Sequence, residues 1–207
     1  MPNRRQTLLD AAIQVLGERG IRALTHRAVD AEAGVAAGSA ANYFPTREAL
    51  LEAIVERVSA MERDRFDEVA AKVCPMTSAE LGRAIAGWVR DGTSVHRALT
   101  LSRYAILVEA GHDAKIRHRL AETGSRVNAW FANWLRLIGS VDTDHDVHVL
   151  GNYITGLTLH QLAIPDPGFD PADKITALLE SLVRPAGTPA RNSARRDGTG
   201  PARGNTS

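Results

Sequence analysis

From Leu8 to Val183, apolar side chains recur at three- and four-residue spacing, and no stretch competes with the two-residue alternation of a strand. This periodicity confines the chain to an all-α fold. Leu8, Leu9, Ala12, Ile13, Val15 and Leu16 predict a first helix over about residues 4–18, ended by Gly20. Thr25 can cap a second, running to about Glu32. Ala33-Gly34-Val35 interrupts it, with Gly34 the expected left-handed residue and Val35 folding back toward the core. A third, short helix is expected over about residues 36–43, stopped by Pro45.

Thr46 then caps a long helix whose stripe is Leu50, Ile54, Val58, Met61 and Phe66, ending at Cys74-Pro75. Thr77-Ser78-Ala79-Glu80 reads as a capping box. Leu81, Ile85, Trp88 and Val89 follow it as far as Gly92. Further helices are predicted over about residues 94–110, 113–138 and 144–163. Ile116, Leu120, Val127, Trp130, Trp134 and Ile138 mark one face of the second of these. The third is apolar on several faces and so requires burial on several sides. Asp170-Pro171 opens a last helix with the stripe Ile175, Leu178, Leu179, Leu182 and Val183.

Charge is unevenly distributed along the chain. The net charge is +1, yet residues 184–207 carry five arginines against Asp197 in a Gly- and Pro-rich context without apolar period. That composition predicts a disordered basic tail over residues 185–207. The single cysteine, Cys74, has no partner for an internal disulfide or a CxxC site. There is no run of 18 apolar residues, and Met1-Pro2-Asn3-Arg4-Arg5 leads into a helical pattern rather than an apolar leader, so a cytoplasmic protein is expected.

An eight-residue helix, a glycine turn and a second short helix with a polar outer side meet the requirements of a helix-turn-helix. Thr25, Val29, Ala33-Gly34-Val35, Gly38, Tyr43-Phe44, Arg47 and Leu50 stand at the spacing of one family's N-terminal pattern, over about residues 8–54. In this the chain resembles the TetR family of transcriptional regulators. The resemblance implies an N-terminal three-helix DNA-binding domain over residues 1–46 and a helical effector-binding and dimerisation domain over residues 47–184. It further implies a repressor that binds a palindromic operator as a homodimer and is released by a small-molecule effector, with no cofactor and no catalysis. By position, Tyr43, Arg47 and Thr25 are expected on the phosphate backbone, with His26 and Arg27 as further phosphate contacts. Arg4 and Arg5 are expected as an arm toward a minor groove. Phe44 is expected in the core.

The recognition helix departs from the family habit of a leading Ser or Thr and larger exposed polar residues. It reads Ala36-Ala37-Gly38-Ser39-Ala40-Ala41-Asn42. Only Ser39 and Asn42 can bond a base edge, and the alanines can at most touch a thymine methyl, so readout of DNA shape is expected.

In the family the C-terminal helices enclose the effector. The candidates here are Trp88, Tyr104, Trp130, Trp134, Tyr153 and His160, with His96 and Asn152 behind them. His145 and His148 stand three apart among Asp142, Asp144 and Asp146. Aspartates at a helix N-terminus explain that cluster without a metal. An enzyme reading finds no GxSxG elbow, P-loop, dinucleotide fingerprint or Cys-His pair.

Overall fold

The computed structural model describes residues 3–183, except for the side chains of residues 124–127. The expected basic tail at 185–207 and the place of Val127 in its stripe lie outside the described residues. Among the described residues the order is α1 Arg4–Arg19, a 3-10 turn Ile21–Ala23, α2 His26–Glu32, α3 Ser39–Tyr43, α4 Arg47–Lys72, α5 Ser78–Thr93, α6 Arg97–His112, α7 Ala114–Leu137, α8 Thr143–Ala163 and α9 Ala172–Leu182. The fold class is all-α, with a helix-turn-helix at the N-terminal end and a helical body behind it.

Most helices start where a short polar side chain satisfies the first free amides. Thr25, Thr46 and Thr77 accept from Ala28 N, Ala49 N and Glu80 N at 3.1, 3.1 and 3.2 Å. Asp113 and Asp142 do the same for α7 and α8. Two expected caps are shifted. Glu80 reaches the Met76 amide at 2.9 Å, one residue before the position a capping box would use. Asp170 accepts from Ala172 N at 3.1 Å, and α9 begins only after Pro171.

Two further expectations are corrected. Arg4 and Arg5 are not a free arm. Asn3 and Gln6 form a reciprocal capping box that starts α1 at Arg4, and the Arg5 guanidinium lies 5.4 Å from the centre of the Phe44 ring. The recognition helix begins at Ser39 rather than Ala36. Gly38 takes a left-handed conformation at φ 89°, which breaks the helical path and assigns Ala36 and Ala37 to the turn.

Two apolar cores organise the molecule. The first joins Leu8, Ile13 and Leu16 of α1, Val29, Ala40, Phe44 and the start of α4 to Leu99 and Ile106 of α6 and Ile116 of α7. The second joins Phe66 at the far end of α4 to Leu81, Ile85, Leu135, Leu150, Ile154, Ile175 and Leu179. The long helix α4 therefore contributes to both, and α6 packs directly on α1. Gly17 makes that approach possible, since a Cβ there would stand 2.1 Å from the Ala98 carbonyl oxygen. The Ser102 hydroxyl donates to Ile13 O at 2.7 Å across the same seam.

Candidate functional site

The helix-turn-helix is held from beneath by a buried carboxylate. Asp30, on the inner side of α2, accepts from Gly38 N through Oδ2 and from Ala40 N through Oδ1, each at 2.7 Å. No side chain of α3's own N-terminus caps it. Asp30 thus supplies from α2 the acceptor that a leading Ser or Thr would supply locally. Sequence reasoning missed this residue. The available signal was an acidic side chain next to Val29 on the inner face, combined with the missing hydroxyl at Ala36.

Around this frame the predicted DNA-contacting residues divide. Arg27, Asn42 and Tyr43 are exposed, and Tyr43 retains 46% of its surface in the free chain. Ala36, Ala37 and Ala41 are exposed beside them, so the outer face of the turn and α3 is nearly flat. The Ser39 hydroxyl donates to Ala36 O at 2.6 Å. Its oxygen remains available as an acceptor. Thr25 is committed to capping α2. The His26 ring nitrogen Nε2 meets Phe44 O at 2.6 Å, tying the start of α2 to the end of α3. Arg47 departs from the phosphate role expected of it: its guanidinium donates to Leu24 O and, at 2.7 Å, to Ile21 O. Two charge-assisted hydrogen bonds, one from each terminal nitrogen, lock the loop before α2 and leave Arg47 a positioning side chain in the DNA-free chain.

In the body, two neighbouring cavities of about 130 and about 70 Å³ lie among α4, α6 and α7, the smaller reaching α5 and α8. Glu62, Arg103 and Asn128 line both. Glu62 is buried and accepts from Arg103 Nη1 at 2.9 Å. The neighbouring carboxylate raises the pKa of Arg103 against the opposing effect of burial, so the guanidinium stays charged. Phe66, Trp88, Tyr104, Phe131, Ile154 and Thr158 are among the residues that line the rest of the smaller cavity. The Tyr104 hydroxyl donates to Thr155 O at 2.8 Å, and burial pushes its pKa up.

Of the six predicted effector-binding residues, only Trp88 and Tyr104 line this space. Trp134 is buried, and the Trp130 ring stands edge-on to it at 5.0 Å, with Trp130 Nε1 donating to Asp67 Oδ1 at 3.0 Å. Tyr153 packs on the second core, and His160 is exposed on α8. These four do not line the two cavities, and in the DNA-free chain they serve as packing or surface. The charged pair Glu62–Arg103 was missed because its partners are 41 residues apart and neither stands out alone. At the acidic start of α8, Asp142 caps the helix and Asp146, in its first turn, accepts the Ser140 hydroxyl at 2.7 Å.

Comparison with known proteins agrees with this architecture. Residues 8–54 match the pattern of bacterial regulatory proteins of the tetR family, and residues 76–185 match the tetracyclin repressor-like C-terminal domain. The chain is 28% identical to the HTH-type transcriptional regulator BetI of Cronobacter sakazakii over 163 residues, covering 76% of this chain and 79% of that protein. It is 31% identical to BetI of Escherichia coli over 124 residues, 59% of this chain and 63% of BetI, a little under two thirds of that relative. The multidrug binding protein EbrR, in its ethidium complex, superposes with a TM-score of 0.66 at 26% identity, over 88% of this chain and 99% of EbrR. No helix among the described residues is long and apolar enough to cross a membrane. With both its DNA-binding and its C-terminal segments matched, the chain belongs to the TetR family of helix-turn-helix transcriptional regulators.

Proposed function

We propose that the protein is a cytoplasmic, ligand-responsive repressor that binds a palindromic operator as a homodimer and releases it when a small molecule occupies the body. The observation that carries this reading is the shared helix α6. Its Arg103, Tyr104 and Ile106 line the cavities, while its Ala98 and Ser102 lie against Gly17 and Ile13 of the DNA-binding motif. A ligand that favours one placement of α6 therefore acts on α1, and by linkage DNA must weaken the binding of any ligand that weakens DNA binding. EbrR, whose structure holds ethidium, supports a ligand-binding body. Arg27, Asn42, Tyr43 and the acceptor oxygen of Ser39 form the DNA-facing surface, with Arg4 and Arg5 on the first turn of α1 beside it. Thr25, His26 and Arg47 hold the backbone that presents that surface.

A gel shift with the DNA upstream of the protein's own gene tests the reading. Specific retardation that survives competitor DNA and moderate salt is expected. Retardation that competitor removes completely would show only nonspecific phosphate binding and overturn it.

A further inference from the structure

On the regulator reading above, we infer that Ser39 reads an exocyclic amino group in the major groove, the N6 of adenine or the N4 of cytosine, and so rejects guanine and thymine at that position. The polarity is set inside the protein. The Ser39 hydroxyl gives its only hydrogen to Ala36 O at 2.6 Å, at the surface of the motif. What remains to face a base is an acceptor. An amino group adds a hydrogen bond to this arrangement. A base carbonyl, O6 of guanine or O4 of thymine, is met only by turning the hydroxyl away from Ala36 O, which exchanges one bond for another and gains little.

The oxygen is also held in place. Asp30 accepts Gly38 N and Ala40 N at 2.7 Å each, so the residues on either side of Ser39 are tied to one buried carboxylate. The Ser39 amide itself donates to Ala36 O at 3.1 Å. A hydroxyl on so fixed a backbone cannot follow a mismatched base, and that converts one hydrogen bond into selectivity.

Reach and competition point the same way. A serine oxygen extends a single atom beyond Cβ, so it meets a base edge only where the backbone lies close to the groove floor. Ala36, Ala37 and Ala41 are exposed and Gly38 carries no side chain, so the residues around Ser39 put nothing long between backbone and groove. Residues 36–46 contain no lysine or arginine, so the turn and α3 lack the cation that reads guanine in bidentate fashion. Asn42, the next exposed polar side chain on α3, both donates and accepts and imposes no single polarity. The fixed polarity belongs to Ser39.

Selection from a randomised duplex library by the full-length protein tests this. The parent is expected to enrich a half-site with one position where adenine or cytosine is favoured about fivefold over guanine and thymine on the same strand, the increment of one neutral hydrogen bond. The base enriched there tells which amino group is read. Ser39→Ala should level that position and leave the others as they were. Ser39→Cys keeps the side-chain shape, exchanges the oxygen for a weak acceptor, and decides the matter if Ser39→Ala does not fold. In the enriched duplex, 2-aminopurine in place of that adenine, or pyrimidin-2-one in place of that cytosine, takes the amino group out of the major groove and should cost the parent about fivefold in affinity. The Ser39 variant, which controls for any change in the duplex itself, should not register the exchange. A levelled position that prefers guanine or thymine, a selection unchanged in every folded variant, or an analogue that costs the parent nothing overturns the role given to Ser39. Enrichment of a sequence with no position that depends on Ser39 removes that role alone and leaves the regulator standing, whereas a library from which no sequence is enriched overturns both.

Discussion

The carboxylate of Asp30 accepts the amide of Ala40 at 2.7 Å while Asp30 itself is 3% exposed, so the recognition helix is capped by a side chain ten residues upstream. Its second oxygen takes the Gly38 amide. Asp30→Ala should leave both amides without their acceptor and cost about 1–3 kcal/mol of stability. Operator affinity should fall further than stability alone requires, because α3 loses its fixed start. Ala36→Ser in the same chain restores a hydroxyl at the leading position and should recover part of both. Urea melts and gel shifts on the single and double variants check this. An operator affinity untouched by Asp30→Ala in folded protein would deny Asp30 any part in presenting α3.

Arg47 and Arg27 should separate under salt titration. The Arg47 guanidinium is spent on the carbonyls of Ile21 and Leu24, whereas Arg27 is exposed on α2. Arg27→Ala should make the dependence of log affinity on log salt shallower by about 0.9, as expected for one lost phosphate contact. Arg47→Ala should lower the melting temperature and weaken binding to all sequences alike, with the slope unchanged. A shallower slope for Arg47→Ala would mean that DNA draws the guanidinium away from those carbonyls.

These contrasts mark how far the sequence could be read. Helix identity was legible because apolar spacing is a local property, and Thr25, Thr46 and Thr77 announced their own helix starts. The turn at Gly34 was legible for the same reason, with φ 64° as expected. The division of labour among the motif's polar residues was not. Whether Arg47 reaches outward or onto Ile21 and Leu24, or Asp30 inward onto Gly38 and Ala40, depends on the packing of helices 8 to 26 residues apart. Trp134 and Tyr104 show the same limit in the body. Both are large and amphipathic, yet one fills the core and the other borders a cavity, a distinction set by α4 and α8 rather than by either residue's neighbours in sequence.

The outer side of α8 should form part of the dimer interface. Leu159 is 46% exposed there and Ile164 follows at the end of the helix, 64% exposed, while Gly156 leaves open space beside them. Large apolar groups so close together are what a second copy would cover. Leu159→Asp removes no core contact of the protomer, so its melting in dilute solution should change little. Sedimentation should shift from dimer to monomer at micromolar concentration, and operator binding should weaken because half-sites are then engaged singly. A variant that sediments as the parent does would place the interface elsewhere.

The seam between α1 and α6 should carry the effector signal, and Gly17 offers a way to strain it without touching either site. A methyl group at residue 17 would fall 2.1 Å from Ala98 O and 2.7 Å from Ala98 C. Both are backbone atoms, so no side-chain rotation relieves the clash and α1 must shift against α6. Gly17→Ala should therefore cost about 1–3 kcal/mol, the usual range for overpacking, and alter operator affinity in the absence of any effector. Ser102→Ala crosses the same seam but adds no bulk. It loses only the bond to Ile13 O, about 1 kcal/mol, and should leave DNA binding nearly as it was. Thermal melts and operator titrations of the two variants, compared at a temperature where both are folded, separate displacement of the helices from simple loss of stability. If Gly17→Ala binds operator with unaltered affinity while Ser102→Ala does not, the hydrogen bond rather than the close approach of the helices couples the body to the motif.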